Sequence, residues 1–378
     1  MEKIKRVLQI GMTSNIGGME NYIITQYRYL NRKQIKYDFV NITGEKKIAY
    51  EDEILSNSSL IYSIPSRHKN PILHYVKFLY LLMSVRKKYD AIVLNTCSLD
   101  YIYPLFIAWL LCIPMRVIHS HNSGDEKKRN FLRKSLVLFN RTLMNISVNV
   151  RWACSKRAGD WMFGYHPYLI IHNAINVEKF LYKDDVRNLI RERMNLKNKL
   201  VVGSVARFSY QKNHEFLVRV FRELVKINPD CCLLLIGEYD SENEIIKRLK
   251  TYILNNHLEE YVMFLGGRKD VFELYQAMDC LLMPSKFEGL SVTAIEAQTA
   301  DLWCFFSDNI SKETKIIDKC KFIDLNESPK KWAELIDDCT RDSMNGARKD
   351  NRSLIEEKGY NIETEVKRVE MLYREFNV

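Results

Sequence analysis

The stretch CLLMPSKFEGLSVTAIEA, residues 280–297, predicts a short strand, a loop and a helix in that order. The apolar run CLLM fits a buried strand, the Pro-Ser pair closes it, and the residues from Leu290 onward fit a helix. Its two carboxylates, Glu288 near the helix start and Glu296 within the helix, lie eight positions apart, a little over two turns. A strand followed by a loop and a helix N-terminus is a common anion-binding unit of α/β proteins.

Apolar strands alternate with amphipathic helices along the whole chain. The first half has strand-like runs at 6–11, 37–42, 91–96 and 116–121, and the second half restarts the pattern at 200–208, 231–237, 262–266 and 280–285. Continuous apolar strands separated by helices predict parallel sheets covered on both faces. We therefore predict an α/β fold of two doubly wound, Rossmann-like domains that face each other across a cleft.

The restart of the pattern sets the predicted domain boundaries. Residues 1–178 form the N-terminal domain and residues 179–361 the C-terminal domain, with the polar helix 184–199 interpreted as a linker. Residues 362–378 form a C-terminal helix with an apolar stripe at helical spacing, and a return of this helix to the first domain is one arrangement.

The composition is that of an ordinary globular protein. Of the 378 residues, 47% are hydrophobic and 28% charged, which excludes a disordered chain. Nine cysteines without a CxxC spacing indicate reduced thiols and a cytosolic protein. The start MEKIKRVLQIG has no signal-peptide pattern, and the apolar run 101–115 is too short for a membrane span and predicts a buried helix.

The positive charge is concentrated in the first half of the chain. Residues 1–180 hold 26 Lys and Arg against 13 Asp and Glu, whereas the remaining residues hold 31 against 34. A basic half indicates an acidic partner, either nucleic acid or an anionic membrane surface. No base-stacking or groove-reading motif is present, so nucleic acid is not expected as a partner.

Two cations follow the first predicted strand of the second half. Arg207 ends the strand 200–208, and Lys212 comes five residues later, just before a helix. Ligands of doubly wound sheets bind at the carboxyl ends of the strands, so both cations are expected at a ligand site. A guanidinium and an ammonium suit a diphosphate and stabilise the charge that grows on it when a bond to it breaks.

At this point the chain resembles a known family. The segments SVARFSYQKNHEFLVRVF, LLLIGE and DVFELYQAMDCLLMPSKFEGLSVTAIEAQ resemble the donor domain of retaining glycosyltransferases of family 4, the group 1 glycosyl transferases, which have the GT-B fold. In the first half, NIGGMENYI, RVIHSHN, ACSKRAGDWMFG and IIHNAIN resemble bacterial capsule and exopolysaccharide members. The resemblance covers nearly the whole chain in order, and the combination of the two cations with the glutamate pair is specific.

The resemblance implies roles for the second-half residues. Glu288 is expected to contact hydroxyls of the donor sugar, and Glu296 the ribose hydroxyls of the nucleotide. The backbone amides of Gly289, Leu290 and Ser291 are expected to meet the diphosphate at the helix N-terminus.

Further donor-site positions come from the same resemblance. Gly17 and Gly18 correspond to the place where the family lets backbone approach the phosphates or the acceptor. His119 and His121 alternate on a predicted strand, so only one is expected at the site, and the family pattern favours His121. Arg268 falls where the family reads the edge of the base.

The implied reaction is transfer of a sugar from a nucleotide diphosphate sugar, with UDP favoured, to a hydroxyl, with retention of configuration. In the family the departing phosphate oxygen assists deprotonation of the acceptor, so no enzymic nucleophile is nominated. The sequence has no Asp-x-Asp motif, and we expect neither a metal nor another cofactor, with the cations and the helix N-terminus supplying the positive charge.

Two alternatives remain open for the activity. A non-hydrolysing nucleotide-sugar epimerase shares the two-domain fold and differs by forming product from the donor alone. An inert nucleotide-sugar-binding partner subunit is expected to have lost Arg207, Lys212 or Glu288, and all three are present.

The acceptor implied by the capsule-type members is a glycan on a polyprenyl diphosphate lipid. The stretch 126–144 mixes the cations Lys127, Lys128, Arg129, Arg133, Lys134 and Arg141 with large apolar residues. It fits either an ordinary helix covering the sheet or a surface that binds anionic lipid. We therefore hypothesise a cytoplasmic enzyme, peripheral on the inner face of the cell membrane.

One segment departs from the family pattern. Asp301 and Trp303 occupy the turn after the Glu296 helix, where the family commonly has Gly and Pro. Because Asp tolerates the left-handed region better than most residues, we expect the turn to survive.

Overall fold

The computed structural model describes residues 4–124, 131–240, 242–341 and 348–376. It divides the chain into two compact units, the first made of residues 1–174 with 362–378 and the second of residues 175–361. The division falls a few residues before the boundary predicted from sequence, and each unit is built around its own parallel sheet.

The first unit contains a seven-stranded parallel sheet in the order β3-β2-β1-β4-β5-β6-β7. Its strands and helices alternate as predicted. They are β1 Lys5–Ile10, α1 Gly18–Tyr29, β2 Ile35–Asn41, α2 Glu51–Ser56, β3 Ile61–Ser63, α3 Pro71–Val85, β4 Ala91–Thr96, α4 Tyr103–Leu110, β5 Met115–Ser120, α5 Phe131–Ser147, β6 Val150–Ala153, α6 Lys156–Phe163 and β7 Leu169–Ile170.

The second unit contains a six-stranded parallel sheet in the order β10-β9-β8-β11-β12-β13. Its elements are α7 Val177–Phe180, α8 Asp184–Arg193, β8 Leu200–Val205, α9 His214–Ile227, β9 Cys231–Ile236, α10 Glu244–Asn255, β10 Val262–Gly266, α11 Val271–Ala277, β11 Cys280–Met283, α12 Val292–Thr299, β12 Trp303–Ser307, β13 Cys320–Ile323, α13 Pro329–Thr340 and α14 Arg352–Glu357.

Continuous burial of the strands explains their apolar sequences. All six residues of β9 are buried, because helices cover both faces of a doubly wound sheet. The prediction of two parallel, Rossmann-like sheets is therefore confirmed.

The last helix, α15 Ile362–Glu375, belongs to the first unit. Val366, Val369 and Tyr373 are buried in the same core cluster as Tyr37 and Trp152. The Tyr373 ring packs edge-on against both of these aromatic rings. The core of the first unit is thus completed by residues from the far end of the chain.

The interpretation of the polar helix 184–199 as a linker is wrong. The structure has a shorter helix, α8, within the second unit. Arg187 and Arg191 both form ion pairs with the buried carboxylate of Asp279, at 2.6 and 3.1 Å. Two of the arginines that made the helix look solvent-exposed are thus paired with one buried carboxylate, and these ion pairs hold α8 against the sheet.

The apolar run 101–115 forms a shorter helix than expected and is buried on one side. Leu105, Ile107 and Ala108 of α4 are buried, whereas Trp109 and Leu110 are exposed. Among the described residues, no helix combines the length and the apolar composition that crossing a bilayer requires.

Candidate active site

Three predicted site residues of the second unit, Arg207, Lys212 and Glu288, follow two neighbouring strands of its sheet. Strands β8 and β11 are adjacent in the sheet although three strands apart in sequence, so the strand order reverses between them. Ligands of doubly wound sheets bind at such a reversal, beyond the carboxyl ends of the strands. Arg207 and Lys212 follow β8, and Glu288 follows β11.

Lys212 and Glu288 form an ion pair in which Nζ lies 2.5 Å from Oε1. Both side chains are largely withdrawn from solvent, with 16% and 8% of their surfaces exposed. Two residues 76 positions apart in sequence, both assigned to the donor site from the sequence, therefore lie side by side.

Amide side chains join the two loops that carry this ion pair. Gln211 donates from Nε2 to the backbone carbonyl of Phe287 at 2.8 Å, and the backbone carbonyl of Gln211 accepts from the backbone N–H of Lys286 at 2.8 Å. Asn213 donates from Nδ2 to the carbonyl of Pro284 at 3.2 Å. Sequence reasoning missed both amides, whose only signal was their position on either side of Lys212.

Arg207 is exposed and makes no hydrogen bond or ion pair within the described part of the chain. A guanidinium has five N–H donors, and here all of them are available to a ligand. The two predicted cations thus differ, because Lys212 is already bound to Glu288 whereas Arg207 is free.

The helix after the Glu288 loop begins at Val292, with Ser291 as its N-cap, rather than at Leu290 as expected. Gly289, Leu290 and Ser291 are buried, and among the described residues their backbone amides have no acceptor. The Ser291 side chain makes no capping hydrogen bond. Free amides next to the first turn of α12 form an electropositive position that suits an anion.

Glu296 lies on α12 and is partly buried. The Tyr275 hydroxyl of α11 donates to its Oε2 at 2.9 Å. Burial raises the pKa of Glu296 to about 7, against the opposing effects of the Tyr275 hydrogen bond and of Lys179. Sequence reasoning missed Tyr275, because a tyrosine at helical spacing in an apolar stretch looks like a core residue.

Arg268 shows no contact with the other predicted donor-site residues. Its guanidinium pairs with Asp270 at 2.5 Å. It also lines a surface cavity of about 370 Å³ together with Arg193, Asn195 and Met263. Its predicted contact with the base remains a prediction.

The two glycines of the first unit start a helix. Gly17 is the N-cap of α1 in an extended conformation, and Gly18 is the first helical residue. A Cβ added to Gly18 would meet nothing within 4 Å. Space is therefore open beside Gly18, where the sequence predicted a close approach of ligand to backbone.

His119 and His121 lie together, so the expectation that strand alternation separates them is wrong. Side chains two positions apart along a strand point to the same face, and the two ring centroids are 4.1 Å apart, each 5.0 Å from the ring of Tyr22. His121 Nε2 lies 3.1 Å from Asn95 Oδ1, a contact that sequence reasoning missed. Burial lowers the pKa of His121 to about 3, so its imidazole is neutral near pH 7.

The turn that departs from the family pattern has the expected backbone. Asp301 has φ +57°, in the left-handed region that Asp tolerates. Its buried carboxylate also binds Lys319 at 2.5 Å and accepts from Asn351 at 2.9 Å. Asp301 therefore supports the turn with its side chain as well as its backbone.

The architecture matches solved glycosyltransferase structures. Anabaena HepE, crystallised with UDP and glucose, superposes with a TM-score of 0.79 at 17% identity, covering 98% of this chain and 99% of that chain. The two Rossmann-like units therefore have the GT-B fold of these structures.

Sequence comparison finds similarity to glycosyltransferases. Residues 186–360 match the model for glycosyl transferases group 1. The chain is 27% identical over 339 residues to "Putative glycosyltransferase EpsF" of Bacillus subtilis (strain 168), covering 88% of this chain and 87% of that protein. It is also 27% identical over 142 residues to the UDP-Gal:alpha-D-GlcNAc-diphosphoundecaprenol alpha-1,3-galactosyltransferase of Escherichia coli, covering 37% and 36% of the two chains.

Proposed function

We propose that the protein is a retaining, metal-independent glycosyltransferase of family 4. It transfers a sugar from a nucleotide diphosphate sugar, with UDP favoured, to a hydroxyl of a glycan acceptor in capsule, exopolysaccharide or other surface-polysaccharide biosynthesis. The observation that carries the proposal is the buried Lys212–Glu288 ion pair at the strand-order reversal, with the free guanidinium of Arg207 on the neighbouring strand end.

The charges at this edge of the sheet suit a diphosphate. Arg207 supplies a fork of donors, Lys212 a point charge, and the amides at Gly289–Ser291 further donors. As the bond between the sugar and the diphosphate breaks, negative charge grows on the diphosphate, and donors already in place stabilise it. These groups supply the positive charge that a divalent cation supplies in metal-dependent enzymes, and we propose metal independence on this basis.

The two glutamates have separate tasks in this proposal. Glu288 binds hydroxyls of the transferred sugar beside the reacting centre, and Glu296 binds the ribose. The UDP in the HepE structure and the UDP-galactose donor named for the Escherichia coli relative favour a uridine nucleotide.

His121 acts in the proposal as a neutral hydrogen-bonding group near the transferred sugar. A pKa of about 3 removes it as a proton donor at neutral pH. The departing phosphate oxygen takes the proton of the acceptor hydroxyl as the new glycosidic bond forms on the same face.

The proposed acceptor is a glycan on a polyprenyl diphosphate lipid at an anionic membrane surface. Lys127, Lys128 and Arg129 lie outside the described residues, and Arg133 forms an ion pair with Asp100 at 2.6 Å. Large apolar side chains of this stretch are exposed on α5, with Phe131 at 81% and Leu132 at 77%. An ordinary helix covering the sheet would bury such residues.

The neighbouring helices extend this surface. Helix α4 packs against both α3 and α5, and the three helices contain no Asp or Glu. Large apolar residues are also exposed on α3, including Ile72, Tyr80 and Met83. Helices that expose large apolar residues and carry no acidic residue of their own fit the interface of a bilayer with anionic lipids.

Sedimentation with vesicles tests the membrane proposal. Binding is expected to rise with the fraction of phosphatidylglycerol and to fall with salt. It should drop when Lys127, Lys128, Arg129, Arg133 and Lys134 are changed to Gln, or Phe131 and Leu132 to Ser. Matched Ser substitutions of Leu254 and Leu354, exposed on the second unit, should leave binding unchanged. A protein that ignores anionic vesicles at low salt contradicts the membrane proposal alone.

A panel of UDP- and GDP-sugars tests the transferase proposal. Donors that bind the folded chain should raise its thermal-unfolding midpoint, and UDP-sugars should do so more than GDP-sugars. Product formed from the donor alone would favour the epimerase, and donor binding without transfer to any glycan acceptor would favour the inert partner subunit.

A further inference from the structure

The two carboxylate oxygens of Glu296 have different surroundings. Oε2 accepts a hydrogen bond from the Tyr275 hydroxyl at 2.9 Å. Oε1 has no hydrogen-bond partner within the described part of the chain. It is also not one of the fully buried polar atoms that lack a partner. One oxygen is therefore held by the protein, and the other is left for a ligand.

Tyr275 is rigidly placed. Its side chain is fully buried on α11, and its ring lies edge-on against Phe180 of α7, with centroids 6.0 Å apart. Helices α7 and α11 both pack against α12, which carries Glu296. The hydroxyl therefore reaches Glu296 from a fixed position.

We propose that Tyr275 is a positioning residue for donor binding, whose hydroxyl holds Glu296 so that Oε1 can accept hydrogen bonds from a ribose. This inference rests on the proposed function, which assigns the ribose to Glu296. A carboxylate held through one oxygen keeps one orientation. Binding of a ligand then costs less free energy, because the carboxylate does not have to be ordered when the ligand binds. The same hydrogen bond favours the ionised form that a ribose diol requires as an acceptor.

The charged groups around Glu296 support this role for Tyr275. Burial raises the pKa of Glu296 to about 7, whereas the Tyr275 hydrogen bond and the positive charge of Lys179 on α7 lower it. Loss of the tyrosine hydroxyl should therefore raise the pKa further and leave more of the carboxyl protonated near pH 7.

Titratable groups also lie on the other elements packed against α12. Burial raises the pKa of Cys280 on β11 and of Cys304 on β12, so both thiols are neutral. On α14, Arg352 is paired with Glu178 at 2.7 Å, and Glu356 and Glu357 are exposed. Tyr275 and Lys179 are thus the groups whose removal should shift the titration.

A titration of the ligand-free protein tests the inference without any assumption about activity. The carboxyl carbon of Glu296 is followed by carbon-13 NMR, with Glu296→Gln as the assignment control. We expect a midpoint near 7 in the unsubstituted protein, and an upward shift of about one pH unit in Tyr275→Phe, the size expected for one hydrogen bond to a charged group. Identical midpoints in the two proteins would overturn the role of Tyr275.

Binding of UDP-glucose, followed by calorimetry, links the titration to the ligand. Tyr275→Phe should weaken binding about 3- to 10-fold near pH 7, with a smaller loss at higher pH. The control is Tyr252→Phe, which removes from α10 a hydroxyl that accepts a hydrogen bond from Arg222 of α9. It should change neither the titration midpoint of Glu296 nor the affinity for UDP-glucose.

If the NMR midpoint shifts but no nucleotide sugar binds, the proposed function fails while the hydrogen bond stands. If binding occurs with an equal pH dependence in both proteins, the positioning role fails.

Discussion

Lys212 Nζ and Glu288 Oε1 lie 2.5 Å apart, so the ammonium expected to bind the diphosphate is held by the carboxylate expected to bind the sugar. Removal of either partner takes this ion pair away from a charge that is largely buried. The two positions should therefore be energetically coupled, and the double variant should lose less than the sum of the single losses.

Arg207→Ala and Lys212→Ala are each expected to lower kcat on the order of 10²-fold or more, because each removes charge stabilisation of the leaving diphosphate. Steady-state kinetics at saturating donor measure the effect, with the exposed Lys358→Ala as control. Retention of more than about a third of turnover in either variant contradicts the assignment of the diphosphate site.

The same two variants should differ in stability. Lys212→Ala removes the ion pair to the Glu288 carboxylate, which is 8% exposed, and should lower the thermal-unfolding midpoint by several degrees. Arg207→Ala should leave the midpoint nearly unchanged, since the guanidinium is exposed and unpaired among the described residues. Equal midpoints for the two variants in a calorimetric scan would show that the ion pair does not persist in solution.

The two glutamates should separate kinetically. Glu296→Ala is expected to raise the KM for the donor more than it lowers kcat, because ribose contacts are similar in the ground and transition states. Glu288→Ala is expected to lower kcat itself. The reverse pattern in initial-rate measurements would mean that the two roles are exchanged.

Activity should persist in excess EDTA, because Arg207, Lys212 and the amides near α12 supply the positive charge. Transfer is measured before and after chelation, with added Mg²⁺ or Mn²⁺ as the control. Loss of activity that either ion restores would contradict a metal-free mechanism.

Glu296 should make the stability of the ligand-free protein depend on pH. Burial holds its pKa at about 7 in the folded chain, above the ordinary 4.5, so between these values the folded state binds the proton more tightly than the unfolded state. The part of the free energy of unfolding that comes from protonation of Glu296 is fully present below about pH 4.5, and it is lost as the pH rises through about 7. Glu296→Gln should therefore match the parent midpoint in acid and exceed it above pH 7, and a variant less stable at both pH values would contradict this account.

The fold was predictable because buried parallel strands have a strong sequence signal. The runs at 6–11, 91–96, 200–208 and 280–285 all correspond to observed strands, since continuous burial requires continuous apolar sequence. The meeting of Lys212 with Glu288 followed from the same pattern, because the carboxyl ends of adjacent parallel strands share one edge of a sheet.

Other features depend on single residues whose roles appear only in three dimensions. The rings of His119 and His121 lie together because side chains two positions apart on a strand point to the same face, whereas the prediction had placed them on opposite faces. Helix α8 looked like a linker because nothing in its charge pattern reveals that Asp279, some ninety residues away, accepts its arginines. Tyr275 has the helical spacing of a core residue in the sequence, and only the hydrogen bond from its hydroxyl to Glu296 sets it apart from other core residues.

The second unit is inserted into the first, because α15 completes the core of residues 1–174. Its two ends, Ile175 and Asn361, are paired in an isolated parallel bridge, so the chain enters and leaves this unit side by side. The segment 175–361 consequently behaves as a cassette with adjacent ends, a geometry that tolerates domain insertion. A chimera designed to change the donor should exchange the whole cassette and keep the C-terminal helix of the recipient, whereas a single junction near residue 174 would pair α15 with a foreign core.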